Sequence, residues 1–275
     1  MPYHIILITL LAALLHASWN ALLRSGSDRL TSMTTMCISV FVSCAIIALF
    51  FPVPARASWL FLLASGILHT GYNLFLVRSY RAGEFGQVYP IARGSSPILI
   101  TVGAAFMAGE HITSVALSGI LLISAGIISL AFKGRKIALP SLPYALGTGC
   151  FIAAYSVTDG MGARSAGNVL SYILWMCCVE GLFMALIYCV LRSPRGLLLP
   201  FPGKGMAMMG GQLMLLAYGT VIYAMSQAPM GMVSALRETS VLFALLIGHF
   251  FFREYLSIKR IASGCIIVAG ILLIG

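Results

Sequence analysis

Charge is scarce in this chain. Only 9% of its 275 residues are charged, and Asp and Glu together number 7. A soluble globular domain carries about 25% charged residues, so no stretch here is polar enough to form a separate water-exposed domain. Metal-type cysteine spacing is missing too. The cysteines at 37, 44, 150, 177, 178, 189 and 265 lie in apolar stretches, include no C-x-x-C pair with a histidine partner, and are odd in number. They read as small buried hydrophobes, neither disulfides nor metal ligands, and no cofactor is expected. The absence of H-E-x-x-H, G-x-S-G and G-x-G-D motifs argues against an enzyme. No contiguous basic face exists, so the net charge of +10 does not point to nucleic acid. The opening Met-Pro-Tyr-His lacks a basic leader and an Ala-x-Ala cleavage site, and the first apolar run is expected to be retained as a helix.

Apolar sequence is abundant: 60% of residues are hydrophobic and the mean hydropathy is +1.00. At about 20 residues per crossing helix, the chain accommodates roughly ten helices and little else. Runs set off by Gly, Pro and charge place them at 4–23, 31–51, 58–78, 84–106, 112–132, 142–162, 168–191, 205–226, 231–252 and 258–274. The expected fold is an all-α membrane protein with the lipid bilayer as solvent. The five odd-numbered loops hold 13 of the 17 Lys and Arg. Arg56 and Arg164 lie in even loops, and Arg93 and Arg237 lie inside spans. Positive charge concentrates on the cytoplasmic side, which puts both termini outside.

The chain also repeats itself. Arg93, Ser96 and Glu110 recur as Arg237, Ser240 and Glu254, with the same steps of three and fourteen residues. Ser118-Gly119 and Ser124-Ala125-Gly126 correspond to Ser263-Gly264 and Val268-Ala269-Gly270. Tyr72 corresponds to Tyr218, and Ala82 to Ala228. His16, Trp19 and Asn20 correspond in pattern to Tyr155, Thr158 and Asp159. The halves divide at 1–136 and 137–275, each with five spans. Five is odd, so the second half is expected to enter the membrane from the opposite side. Such inverted repeats place a substrate site at the midplane between the halves. Gly and Ala are spread too evenly to mark a dimer face, which leaves a homodimer open.

Polar residues inside the spans carry the chemistry. His16, Trp19 and Asn20 fall at i, i+3 and i+4, on one helical face. His69, Tyr72 and Asn73 repeat the triplet. Such a face can wall a polar pocket, with histidine able to carry a proton, or it can simply hydrogen-bond a neighbouring helix. Asp159, with Tyr155 and Thr158, reads either as functional or as a helix-end residue facing water near Arg164. Glu180 in the seventh span and Glu238 in the ninth are further carboxylates inside spans and, with Asp159, candidates for proton coupling. Pro90 and Pro97 free backbone carbonyls and can break the fourth span locally. Arg237 and Glu238 are adjacent, and their side chains diverge by about 100° on a helix. Arg237 is therefore expected to pair with Asp159, Glu180 or a substrate anion, which its planar fork suits. A structural ion pair is the bland alternative. Glu110 and Glu254 read as helix-end anchors, and His249 as an edge residue.

Taken together, Tyr89-Pro90-Ile91-Ala92-Arg93-Gly94-Ser95-Ser96-Pro97, the opening His16-Ala17-Ser18-Trp19-Asn20, and the boundary pairs Gly109-Glu110 and Arg253-Glu254 resemble the EamA-type ten-helix members of the drug/metabolite transporter superfamily. The resemblance covers the whole chain and implies two five-helix units. The family is usually drawn with both termini in the cytoplasm, the reverse of the charge tally. The expectation is a multi-pass secondary transporter of the cell (inner) membrane. It would export or exchange a small polar metabolite, anionic or zwitterionic, by alternating access coupled to protons or exchange. Arg93 and Arg237 would hold an anionic group, and His16, Asn20, His69, Asn73 and Asp159 would give polar contacts. Trp19, Tyr72, Tyr155, Tyr218 and Tyr223 would form the walls. A flippase for a lipid-linked sugar and uptake of a phosphonate-type compound are the alternatives.

Overall fold

The computed structural model describes residues 1–25, 28–82, 85–132, 142–198, 201–252 and 257–274. Among the described residues the chain is helical, with no strand. The helices are α1 (Tyr3–Ser25), α2 (Arg29–Ala48), α3 (Trp59–Ala82), α4 (Phe85–Ala108), α5 (Ser114–Ser129), α6 (Leu142–Ser165), α7 (Val169–Leu191), a short α8 (Arg195–Leu198), α9 (Lys204–Gln227), α10 (Met230–Arg237), α11 (Ser240–Phe252) and α12 (Ile258–Ile274). Among the described residues, six stretches are long and apolar enough to cross a membrane: Tyr3–Leu23, Leu30–Ala48, Tyr89–Ala108, Val169–Leu191, Lys204–Gln227 and Met230–Ile247. Helices α5 and α12, at 16 and 17 residues, are shorter. Helices α3 and α6 carry the polar residues.

The burial pattern is inside-out relative to a soluble protein. Leu7, Leu49, Phe50, Leu60, Phe106, Val190 and Leu272 are exposed, whereas His69, Arg93, Asp159, Arg237 and Glu238 are buried. Water would not tolerate so much apolar surface on a monomer, but a bilayer requires it.

Corresponding helices of the two halves pack in corresponding ways. Helix α1 lies on α9 as α3 lies on α6, and α2 packs on α7 as α5 packs on α12. These last two pairs run antiparallel. Along α2 and α7, Cys37 and Phe41 sit at Gly181, while Thr31 meets Tyr188. Along α5 and α12, Gly119 faces Gly270 and Gly126 faces Ser263, and the Ser129 and Ser263 hydroxyls share a 2.7 Å hydrogen bond. A Cβ on Gly119 or on Gly270 would come within 2.7 Å of the other's carbonyl oxygen. Glycine is what lets these backbones approach.

Two expectations about helix breaks are reversed. Helix α4 runs continuously through Pro90 and Pro97. The carbonyl that Pro97 cannot bond belongs to Arg93, and the Ser96 hydroxyl donates to it at 3.0 Å. A local side-chain donor thus repairs the ladder. The expected single helix over 231–252 is instead interrupted after Arg237 without a proline. Across the break the bonds shorten to i→i+3 steps, from Thr239 N–H to Leu236 O at 3.0 Å and from Val241 N–H to Glu238 O at 3.0 Å. This tighter winding redirects Glu238.

The loop after α1 is tied to the loop after α7. Asp28 caps α2, bonds the Thr31 hydroxyl at 2.8 Å, and pairs with Arg192 at the end of α7. Burial pushes the Asp28 carboxyl up, but hydrogen bonds from Thr31 and Arg192 outweigh it and hold the group below its ordinary value. A depressed carboxylate contributes stability above its unfolded pKa and loses it as pH falls through the folded one. Both side chains are more than a third exposed, so the pair is worth on the order of 0–1 kcal/mol. Asp28→Asn should therefore lower the melting temperature slightly at neutral pH. The difference from wild type should vanish below the carboxylate range, as followed by thermal unfolding in detergent across pH.

Candidate functional site

Two buried polar clusters meet where α3, α4, α6, α7, α9 and α10 converge. The first is built on the α10–α11 break. Arg93 lies eight residues into α4 and Arg237 seven residues into α10. At about 1.5 Å per residue, that is ~12 Å and ~10 Å along their helices. If α4 and α10 enter from opposite faces of a hydrocarbon layer ~30 Å thick, both arrive near its middle. The carboxylate of Glu238 sits between the two guanidiniums. Arg93 Nε is 2.6 Å from Glu238 Oε2, and Arg237 Nη2 donates to Glu238 Oε1 at 3.3 Å. Arg93 Nη2 also donates to Ser240 Oγ at 3.2 Å, and its guanidinium lies 5.7 Å from the Tyr89 ring centre. The three residues are 3%, 1% and 0% exposed.

The pairing of neighbours Arg237 and Glu238 overturns the expectation from an ideal helix. The helix stops between them, so the 100° divergence does not apply. Hydrogen bonding in the cluster is also incomplete. Arg93 Nε and Glu238 Oε2 are close, but the N–H does not point at the oxygen. Both atoms lack a hydrogen-bond partner, as do Arg237 Nε, Ser234 Oγ and Thr239 Oγ1. Two cations against one anion, with donors to spare, leave a buried positive site.

The second cluster surrounds Asp159, which is fully buried. Tyr172 donates to its Oδ1 at 3.0 Å and Tyr218 to its Oδ2 at 2.6 Å, while His69 Nε2 lies 3.2 Å from Oδ2. The other His69 ring nitrogen, Nδ1, faces Glu180 Oε1 at 3.7 Å. Tyr155 stacks on His69 with centres 4.0 Å apart, and meets Tyr72 and Tyr218 edge-on at 5.7 Å and 5.8 Å. Tyr155 and Tyr72 also lie within electrostatic range of Arg93. Tyr155 thus borders both the positive cluster and the acidic one.

Asp159 is not a helix-end residue beside Arg164. Arg164 turns away to a third cluster at the opposite end from Asp28. It donates to Met225 O at 2.7 Å and to Ala228 O at 3.0 Å, and pairs with Glu110 at 2.6 Å. Glu110 Oε2 in turn accepts the Met230 N–H at 2.9 Å. A cation thus covers the carbonyl end of α9 and an anion the amide end of α10, as the helix dipole favours. The chain reaches this point because Gly109 adopts a left-handed φ of 64° after α4. Glu110 is an anchor, as expected; Glu254, its counterpart, lies outside the described residues.

The first triplet is not drawn into the clusters as the second is. Asn20 donates to the carbonyl of His16 within its own helix at 2.8 Å. Trp19 packs with Met36, Ala207 and Ala217, and its buried indole N–H lacks a partner. His16 remains within electrostatic range of Arg93 and Arg237. Asn73 donates to Met184 Sδ at 3.3 Å, a helix-to-helix contact. Tyr223 is exposed and lines no internal wall. Tyr172 was not singled out by sequence, because a lone tyrosine in an apolar helix carries no periodic signal.

Removing one partner from a buried ion cluster leaves uncompensated charge and costs about 3–5 kcal/mol. Glu238→Gln is therefore expected to destabilise the protein by that order, as measured by thermal or denaturant unfolding in detergent. A change under ~1 kcal/mol would mean that the two guanidiniums do not depend on this carboxylate.

Comparison with known proteins gives the wider setting. No curated protein matches the chain. A solved structure titled only "Crystal structure of protein" superposes with a TM-score of 0.80 at 18% identity, covering 98% of this chain and 97% of that one. At that identity the likeness concerns the fold. The sequence model described as the EamA-like transporter family matches residues 4–132 and again 139–275. Matched twice over nearly its whole length, the chain belongs to the EamA-like transporter family, a multi-pass membrane protein of the drug/metabolite transporter type.

Proposed function

We propose that the protein is a secondary transporter that moves a small polar metabolite bearing an anionic group by alternating access, with the Arg93–Glu238–Arg237 cluster as the anion site. The buried positive cluster with unused donors carries this reading. Charge inside the hydrocarbon region costs several kcal/mol even by the lower estimates, and buried donors left without partners beside it call for an explanation. A carboxylate or phosphate-type oxygen would accept from Arg237 Nε, a buried donor without a partner, in the charge-assisted manner that guanidinium favours. Tyr72, Tyr155 and Tyr218 would wall the site, and His69, with the α1 triplet His16, Trp19 and Asn20 and with Asn73, would supply polar contacts nearby. Asp159, Glu180 and Glu238 are the carboxylates available for proton coupling.

Ten spans in two inverted five-helix repeats, 1–136 and 137–275, are the architecture this reading uses. The antiparallel packing of α2 on α7 and of α5 on α12 supports it, because a two-fold axis in the membrane plane reverses corresponding helices. The basic odd-numbered loops support an inner-membrane orientation with both termini outside.

A thermal-shift screen of purified protein against a metabolite panel identifies the cargo, because a ligand that binds the native state raises its stability. Flux of that cargo into proteoliposomes under an imposed pH gradient then tests the site. Arg237→Ala should reduce flux at least ~10-fold, the equivalent of about 1.4 kcal/mol of binding. Flux at the wild-type rate would remove Arg237 from the site.

A further inference from the structure

The buried carboxylates differ in what already faces them. Glu238 is clamped between two guanidiniums. Asp159 receives the hydroxyls of Tyr172 and Tyr218 and faces His69 Nε2. A carboxyl group that already accepts two hydroxyl donors is satisfied as the anion. Glu180 is different. Its described contact is the far side of the same imidazole, 3.7 Å from Nδ1.

That geometry constrains protons. A neutral imidazole donates from one nitrogen and exposes a lone pair on the other. With the hydrogen on Nε2 turned to Asp159, a neutral His69 would aim its Nδ1 lone pair at an ionised Glu180. The arrangement becomes attractive only with one more proton, carried either on Nδ1 or on the Glu180 carboxyl.

We propose that His69 and Glu180 hold one exchangeable proton between them, while Asp159 and Glu238 stay ionised. On the transport reading above, on which this inference rests for its role, that proton is the coupling proton. The groups around it come from every side. His69 is on α3, Glu180, Tyr172 and Cys177 on α7, Asp159 and Tyr155 on α6, and Tyr218 on α9, with Cys37 and Cys44 of α2 in electrostatic range of Glu180 and Arg237 of α10 in range of His69. The step is a proton transfer alone: the N–H bond at Nδ1 breaks as the O–H bond at Glu180 forms, and the proton then passes to water. Glu180 is the outlet, because its side chain is 16% exposed whereas that of Asp159 is 0% exposed. Helices α3 and α7 lie in opposite halves of the chain, so relative motion of the halves would open the 3.7 Å gap and free the proton.

The test needs no cargo, so its failure and that of the transport reading are separable. Full-length protein in lipid nanodiscs is labelled with ring-nitrogen-15 histidine, and His69 is assigned by its loss in His69→Asn. Near neutral pH the wild type should show either a doubly protonated His69 ring or an infrared band from a protonated carboxyl group. Glu180→Gln should lose that signal and leave His69 neutral, protonated at one nitrogen only, and Glu180→Asp should restore it. A wild-type His69 that is neutral at neutral pH, with no protonated-carboxyl band, overturns the proposal without any variant. So does a His69 ring that stays doubly protonated in Glu180→Gln.

Discussion

Two guanidiniums and one carboxylate buried among apolar helices impose the constraint on which the structure turns. Neither arginine can stay in a bilayer core unpaired, and neither can reach water from where it sits. Glu238 neutralises one charge and leaves the other. To bring Glu238 between the arginines, the chain gives up helical regularity after Arg237, and the i→i+3 bonds at Thr239 and Val241 absorb the change. Polar groups at this depth require either partners or a function. Here they have some of each, because several N–H and hydroxyl groups close to the carboxylate are still unsatisfied.

The rest of the bundle holds this core in place from its ends. Arg164 and Glu110 join the carbonyl end of α9 to the amide end of α10, fixing the short helix that delivers Arg237. At the other end Asp28, Thr31, Arg192 and Tyr188 tie α2 to α7. Close glycine contacts along α5 and α12 replace the hydrophobic force that lipid cannot supply. Tyr155, stacked on His69 and in electrostatic range of Arg93, lies against both clusters.

Much of this was legible in the sequence, for physical reasons. Long apolar runs mark helices in lipid, and the recurrence of Arg93 and Arg237 at one spacing marked the two residues that meet at Glu238. The His69, Tyr72 face pointed inward because i, i+3 positions share a side. Other features had no local signature. The break after Arg237 has no proline, and the prolines that exist are accommodated by Ser96 bonding the Arg93 carbonyl. The Arg237–Glu238 pairing depends on that break, so regular helix geometry argued against it. Tyr172 reaches Asp159 from a helix whose neighbouring sequence is apolar. The equivalence of His16 and His69 in sequence did not carry over to equal roles, because α1 packs its tryptophan against α9 and α2.

The central claim is that the Arg93–Glu238–Arg237 cluster is kept for transport and not for stability. Buried ion clusters replaced as a whole by apolar residues of similar volume are often neutral or stabilising. The most direct measurement is proteoliposome flux of the cargo found by thermal shift, for the triple variant Arg93→Met, Arg237→Met, Glu238→Leu, alongside its melting temperature. The account predicts a protein that melts at or above the wild-type temperature and carries no flux. A folded triple variant that transports at the wild-type rate would contradict it.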